Sequence, residues 1–248
     1  MMQGLVLAAL LLSSASVYAQ KPQTKTPTKT QAEKQNPAED QDMKYVTVGT
    51  KTYHVYDYRD SLQVYKKDVV KKNCFFVISK KEFRLYVYEV IPAKKDTVLV
   101  AHYPICYAKN AGNKQRVGDM KTPECTMAKP FTISMIQDAS SWRHDFKDGR
   151  GNVKSYGDWF MRLVTPGHSG IGIHGSTNNE ASVPGRDSEG CIRLRDPDIR
   201  HLKENYAQVN TKVVIKSVEK GKLPFEVNAE KALGKDYKKP IKGYQLPK

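Results

Sequence analysis

Apolar residues in this chain alternate far more often than they recur at helical spacing. Val46, Val48, Tyr53, Val55 and Tyr58 sit in short alternating runs that predict strands. The signal strengthens from residue 74. Residues 74–78 form a continuous apolar, β-rich run. Residues 83–89 alternate Phe, Leu and Val against Arg and Tyr, with Ser79-Lys80-Lys81-Glu82 as the turn between the two runs. Residues 97–103, 131–136, 160–164, 171–174 and 212–218 are further strand candidates. Gly112, Gly118, Pro123, Gly149, Gly157, Pro166 and Gly167 punctuate the gaps. Helical spacing occurs in two places. Leu62, Tyr65 and Val69 predict a short helix within residues 61–72. Residues 196–206 predict another, with Asp196 as N-cap, Pro197 at the first helical position and Asp198 at the positive end of the dipole. Ile199, Leu202 and Tyr206 share its face. The pattern is that of a mostly β domain, a sandwich or barrel with a few short helices.

Both ends of the chain depart from this pattern. Residues 3–19 carry no charge, hold a short apolar run at 5–12, and end on small residues at Ala19. They read as a signal peptide (1–19), cleaved to leave Gln20 and placing the mature chain in the periplasm or cell envelope. The apolar run is too short to span a bilayer. Residues 20–43 have almost no apolar side chain, and four lysines balance four acids, so they read as a disordered linker. Residues 44–73 are expected to extend the domain at its N-terminus, and 74–216 to form the domain itself. Residues 219–248 hold eight lysines against four acids, so 217–248 read as a basic, loosely packed tail.

The whole chain of 248 residues carries 41 Lys and Arg against 26 Asp and Glu, a formal charge of +15. Such a charge invites nucleic acid as a partner. The lysines, however, are dispersed or gathered in the tails, and no nucleic-acid motif accompanies them. For an exported chain, anionic wall polymers or a membrane surface are the better partners. No HExxH and no Cys-x-x-Cys spacing is present, so no metal site is expected.

The chemistry concentrates in two stretches. One is Gly170-Ile171-Gly172-Ile173-His174-Gly175; the other is Ser188-Glu189-Gly190-Cys191-Ile192-Arg193-Leu194. A cysteine nucleophile needs a base within hydrogen-bond reach and donors for the developing oxyanion. His174 at a strand end and Cys191 at a glycine-flanked turn supply the first two parts. The N–H groups of Gly190 and Cys191 are candidates for the third. Arg193 is placed to favour thiolate character or to grip a substrate carboxylate. Taken alone, one Cys and one His in an exported protein are more often a disulfide half and a surface imidazole.

The two stretches together carry more information. Ile-His-Gly, a step of 17 residues from His174 to Cys191, and Ser-x-Gly-Cys-Ile-Arg-Leu resemble the L,D-transpeptidase catalytic domain of the YkuD type. Gly118-Asp119-Met120-Lys121-Thr122-Pro123 resembles that family's Gly…Thr-Pro loop, and the resemblance runs from about Cys74 to Ile215. Two positions depart from it: Glu189 stands where many members have His, and Cys125 where Gly is usual. The resemblance implies an enzyme acting on peptidoglycan stem peptides without a metal or organic cofactor. Cys191 would be the nucleophile, His174 the general base and acid, and the Gly175 carbonyl the orienter of His174. Ser188 would steady the cysteine loop. Tyr156, His168 and Glu189 are the candidate substrate contacts, with His168 equally readable as a solvated loop residue. The same site with water as acceptor gives an L,D-carboxypeptidase or a cross-link-cleaving hydrolase, and a non-catalytic wall-binding module is the reading from another class. If the remaining cysteines bridge in an oxidising compartment, Cys106–Cys125 is the expected pair and Cys74 a buried small hydrophobe.

Overall fold

The computed structural model describes residues 45–48, 51–54 and 62–234. The expected signal peptide, the linker, Val55, Tyr58 and residues 235–248 lie outside the described residues. Fifteen strands and two α-helices are present among those described. The strands are β1 (Tyr45–Val48), β2 (Lys51–His54), β3 (Gln63–Val64), β4 (Cys74–Ser79), β5 (Arg84–Ile91), β6 (Asp96–Pro104), β7 (Cys106–Ala108) and β8 (Phe131–Asp138). They continue as β9 (Arg143–Asp145), β10 (Asn152–Lys154), β11 (Trp159–Val164), β12 (Gly172–His174), β13 (Gly185–Ser188), β14 (Ile192–Arg193) and β15 (Lys212–Lys216). The helices are α1 (Asp196–Asn205) and α2 (Pro224–Ala232). The domain is mostly β, as its alternation predicts.

Eleven strands form one mixed sheet in the order β13-β7-β14-β12-β11-β8-β15-β4-β5-β6-β3. Two antiparallel ribbons, β1–β2 and β9–β10, stand apart from it. Side chains from both ends of this order meet in one core: Val100 of β6, Leu85 of β5, Ile173 of β12 and Ile192 of β14 belong to the same buried cluster. Phe83, beside β5, packs its ring 5.2 Å from that of Tyr107 in β7. The sheet is therefore curled around a shared core. Helix α1 lends Ile199 and Leu202 to it, followed by Tyr206.

The unbroken apolar run of β4 has a structural reason. All six of its residues are buried. Cys74, Phe76 and Ile78 face the main core, while Phe75 and Val77 face a second, smaller cluster with Tyr86, Tyr88 and Val214. A strand covered on both faces has no solvent side to alternate with. The cover over the second face is α2. Phe225 sets its ring edge-on against Tyr88 at 5.1 Å and against Phe75 at 5.5 Å, and Ala229 and Leu233 complete the contact. Glu226 of α2 forms a buried ion pair with Lys216 of β15 at 2.8 Å, and the same carboxylate accepts the Leu223 N–H at the start of the helix. The expectation of a loose tail is thus corrected for residues 217–234. Lysine-rich composition masked a helix that docks Phe225 and Ala229, with Leu233 just beyond its end, against the second cluster.

Three other expectations are corrected. Residues 62–72 form no α-helix. β3 pairs with β6, the Tyr65 N–H donates to the Val100 carbonyl, and a short 3-10 turn at Lys71–Asn73 leads into β4. Sheet-edge pairing outweighs the helical spacing there. Asp196 is not the N-cap of α1; Arg195 takes that place, and Asp196 is the first helical residue. No Cys106–Cys125 bridge forms, and all four cysteines are free thiols. The Cys106 sulfur accepts the Asp187 N–H at 3.2 Å, whereas Cys125 sits at β15 between the Val213 carbonyl and the Ile215 N–H. Their separation along the chain suits a bridge, but the fold seats Cys106 in β7 and Cys125 in a loop against β15.

Candidate active site

Strand β12 ends at His174, and β14 begins one residue after Cys191. The two strands run parallel and side by side, with Ile173 opposite Ile192 and His174 opposite Arg193. This pairing carries both stretches of the sequence motif to one cleft of about 420 Å³. Its lining includes Cys191, His174, Tyr156, His168, Ser188, Glu189, Gly190 and Arg193. Gly175 is absent from the lining and acts from behind.

The His174 ring is buried between Tyr156, 4.8 Å away, and Phe160, which stacks on it at 5.6 Å. Its Nδ1 lies 2.7 Å from the Gly175 carbonyl. A carbonyl only accepts, so Nδ1 carries the proton and Nε2 the free lone pair. Burial pushes the His174 pKa down to about 3, with the Arg193 charge pushing the same way and the Gly175 carbonyl opposing it. The turn behind the histidine is tight. A Cβ on Gly175 would lie 2.6 Å from the Gly157 Cα and would also collide with Asp196 Oδ1. Asp196 closes this corner by accepting the Ser176 N–H at 2.7 Å and the Thr177 hydroxyl at 2.5 Å. The residue expected to cap α1 instead fixes the chain that leaves the histidine.

The Cys191 turn is held by Ser188, whose hydroxyl donates to the Cys191 carbonyl at 2.6 Å and accepts the Gly190 N–H at 3.2 Å. That second bond alters the oxyanion expectation: the Gly190 N–H is turned into the loop, leaving Cys191 as the remaining backbone donor of the expected pair. Glycine is required at 190 because a Cβ would press on Ile171 at 3.1 Å and on the Lys121 carbonyl at 3.2 Å. The Cys191 thiol points toward the Gly170 carbonyl at 3.3 Å. Burial raises its pKa, while the Gly172 N–H and the charges of Arg193 and Lys114 work the other way. A raised thiol beside a depressed imidazole gives a resting pair with both members neutral.

Cations line the cleft in paired form. Arg193 is buried, with Nη1 3.2 Å from Asp187 and its guanidinium 5.1 Å from the centre of the Phe146 ring. Lys114 pairs with Asp119 at 2.9 Å. Burial opposes ionisation of Asp119, but N–H donors from Gln115, Lys114, Arg116 and Lys121 outweigh it and hold its carboxyl below the usual range. This loop joins the Cys191 turn through Thr122, whose hydroxyl donates to the Gly190 carbonyl at 2.9 Å and accepts the Ala108 N–H at 3.1 Å. Buried Lys80 grips the far side of the loop through the Gly112 and Thr122 carbonyls and Glu124. Opposite, the β9–β10 ribbon brings His144 Nε2 to 3.2 Å from Glu189. His168 sits in a turn closed by its own N–H and carbonyl against Thr165, at the cleft rim.

Sequence reasoning placed Thr122 in a recognisable loop but gave it no task. It assigned no role to Lys114, Ser155 or Phe146, which line the cleft. Nothing in their local sequence marks them. Among the described residues no group of three His, Cys, Asp or Glu side chains is arranged to hold a metal ion.

Comparison with known proteins places these features in context. No curated protein matches the chain in sequence. Among solved structures, Bd1075 of Bdellovibrio bacteriovorus is similar at 21% identity, covering 58% of this chain and 48% of that one, with a TM-score of 0.41. An L,D-transpeptidase from Mycobacterium smegmatis is similar at 14% identity, covering 58% and 59%, with a TM-score of 0.41. The helical cell shape determining protein Pgp2 from Campylobacter jejuni is similar at 20% identity, covering 71% and 57%, also with a TM-score of 0.41. The chain thus matches about half to three fifths of the length of these relatives. The model of the YkuD L,D-transpeptidase catalytic domain matches residues 75–215, more than half of the chain. On that match, the chain belongs to the YkuD family of L,D-transpeptidase catalytic domains.

Proposed function

We propose that the protein is a cysteine-dependent L,D-transpeptidase that cross-links peptidoglycan stem peptides in the cell envelope, reached by export through cleavage near Ala19. The observation that carries this reading is the His174–Gly175 hydrogen bond, which leaves a neutral imidazole with its free lone pair on Nε2 in the cleft that holds Cys191. Nε2 takes the thiol proton as sulfur attacks the carbonyl between the third residue and the terminal D-residue of a donor stem. The tetrahedral oxyanion is met by the Cys191 N–H. The C–N bond then breaks, the proton passes from Nε2 to the departing amine, and a thioester remains on Cys191. In the second half a neutral amine of an acceptor stem attacks the thioester. Its N–H proton moves through His174 to the sulfur as the C–S bond breaks, giving a new amide and the free thiol. Water in place of the amine gives the hydrolytic outcome. Incubation of the mature protein with tetrapeptide muropeptides, followed by intact-mass and product analysis, tests the reading. A donor acyl mass on Cys191 and cross-linked dimers are expected. Tripeptide as the sole product refutes transpeptidation, and an unmodified Cys191 with unchanged substrate refutes the enzyme.

A further inference from the structure

Among the described residues, Glu189 is the single carboxylate in the lining of the cleft. It stands two residues before the nucleophile and is about one-third exposed, so the cleft can reach it. The cations lining the cleft are treated differently from it. Lys114 is neutralised by Asp119 and Arg193 by Asp187, neither of which lines the cleft. The partner of Glu189 is His144, an imidazole that cancels a carboxylate charge only when protonated. Two further groups stand in the same lining. The Tyr156 hydroxyl lies close enough to feel the charges of both Glu189 and Cys191. The Ser155 side chain is buried there, and its hydroxyl has no hydrogen-bond partner.

An acceptor for a thioester is a cation before it is a nucleophile. A primary amine reaches the cleft as an ammonium with three N–H donors and must shed one proton before its nitrogen can attack. We propose that Glu189 binds the ammonium of the acceptor stem, with the Ser155 hydroxyl as a second acceptor, and so selects amine over water for the second half of the reaction. The inference rests on the transpeptidase reading above. The ammonium leaves one proton on the Glu189–His144 pair, which returns it to solvent. The neutral nitrogen then attacks, and the second proton follows the His174 route to the Cys191 sulfur. A carboxylate suits an amine here; the paired cations Lys114 and Arg193 suit the acidic groups of the donor.

The test uses the mature protein, a tetrapeptide donor and two nucleophiles: a stem tripeptide with a free side-chain amine, and hydroxylamine, which is neutral at pH 7. Glu189→Gln should raise the tripeptide concentration needed for half-maximal capture by about tenfold, the scale of one charge-assisted hydrogen bond, and send more thioester to water. Capture by hydroxylamine should fall far less. Glu189→Asp should recover most of the loss. Equal loss toward both nucleophiles, or tripeptide capture indifferent to Glu189→Gln, overturns the inference while the acyl mass on Cys191 leaves the transpeptidase reading standing. A wild-type protein that never acquires that mass overturns both.

Discussion

His174 donates from Nδ1 to the carbonyl of its own successor, Gly175, across 2.7 Å. The orienting group is thus a backbone atom that no substitution can remove while the turn persists, and the turn persists only with glycine at 175 and 157. Two outcomes separate the two histidines of the cleft. His174→Ala should slow acylation of Cys191 by about 10²–10⁴-fold, the range for loss of a general base. His168→Ala, at the rim, should slow it by less than about tenfold. Stopped-flow or intact-mass time courses check the ranking, and the reverse order would mean that the base has been misassigned.

The neutral resting pair has a signature in pH. With the His174 pKa at about 3, the imidazole is the free base throughout the range above pH 4, so acylation should show no acid limb between pH 5 and 7 from this residue. The Cys191 thiol, raised above its usual value of 9.0 by burial, should react with iodoacetamide at a rate that still climbs beyond pH 9. A thiolate–imidazolium pair would instead give a plateau near neutrality. That plateau, measured by alkylation against pH, would contradict the neutral pair.

Much of this arrangement is legible in the sequence, and the reasons for the rest are physical. Alternation located most strands of the sheet, and the Ile-His-Gly and Ser-x-Gly-Cys-x-Arg stretches located His174 and Cys191, which the fold brings to one cleft. Three things were hidden. The fate of the Gly190 N–H depends on Ser188, two residues before it, curling under the turn. Asp196 has the residue type and position of a helix cap, and only the tertiary approach of Ser176 and Thr177 gives it a different task. The docking of α2 was announced only indirectly: a run as apolar as residues 74–78 requires cover on both faces, but nothing local says which segment supplies it.

That cover should be essential to stability. Lys216 and Glu226 are both almost wholly buried, and each satisfies the other at 2.8 Å. Glu226→Ala would strand the Lys216 ammonium in the interior and leave the Leu223 N–H without its acceptor. A loss of roughly 3–5 kcal/mol is expected from breaking such a pair. The double replacement Lys216→Met with Glu226→Leu should recover much of it, since no buried charge remains. Urea denaturation of wild type, Glu226→Ala and the double variant checks both statements. A Glu226→Ala loss under about 1 kcal/mol would show that α2 does not hold the second core in solution.

Asp198 should make the protein less stable as pH rises through the mildly acidic range. Its carboxyl is buried on α1, Oδ2 has no hydrogen-bond partner, and burial pushes its pKa up to about 6, against the pull of Arg195. The unfolded chain ionises this group near 3.8. Between those values the folded state holds a proton that the unfolded state has released. Its contribution is therefore fully present below pH 3.8, is lost as pH rises to about 6, and stays lost above. Asp198→Asn keeps the shape and removes the ionisation. It should stabilise the protein at pH 7 by roughly 1–3 kcal/mol relative to wild type, since each tenfold change in proton affinity corresponds to about 1.36 kcal/mol and the helix N-terminus relieves part of the cost. At pH 4 the difference should nearly vanish, because wild type is then protonated as well. Thermal or urea unfolding of the two proteins at pH 4 and pH 7 measures this. A variant equally stable to wild type at both values would mean that Asp198 is solvated in the folded protein and its carboxylate carries no burial cost.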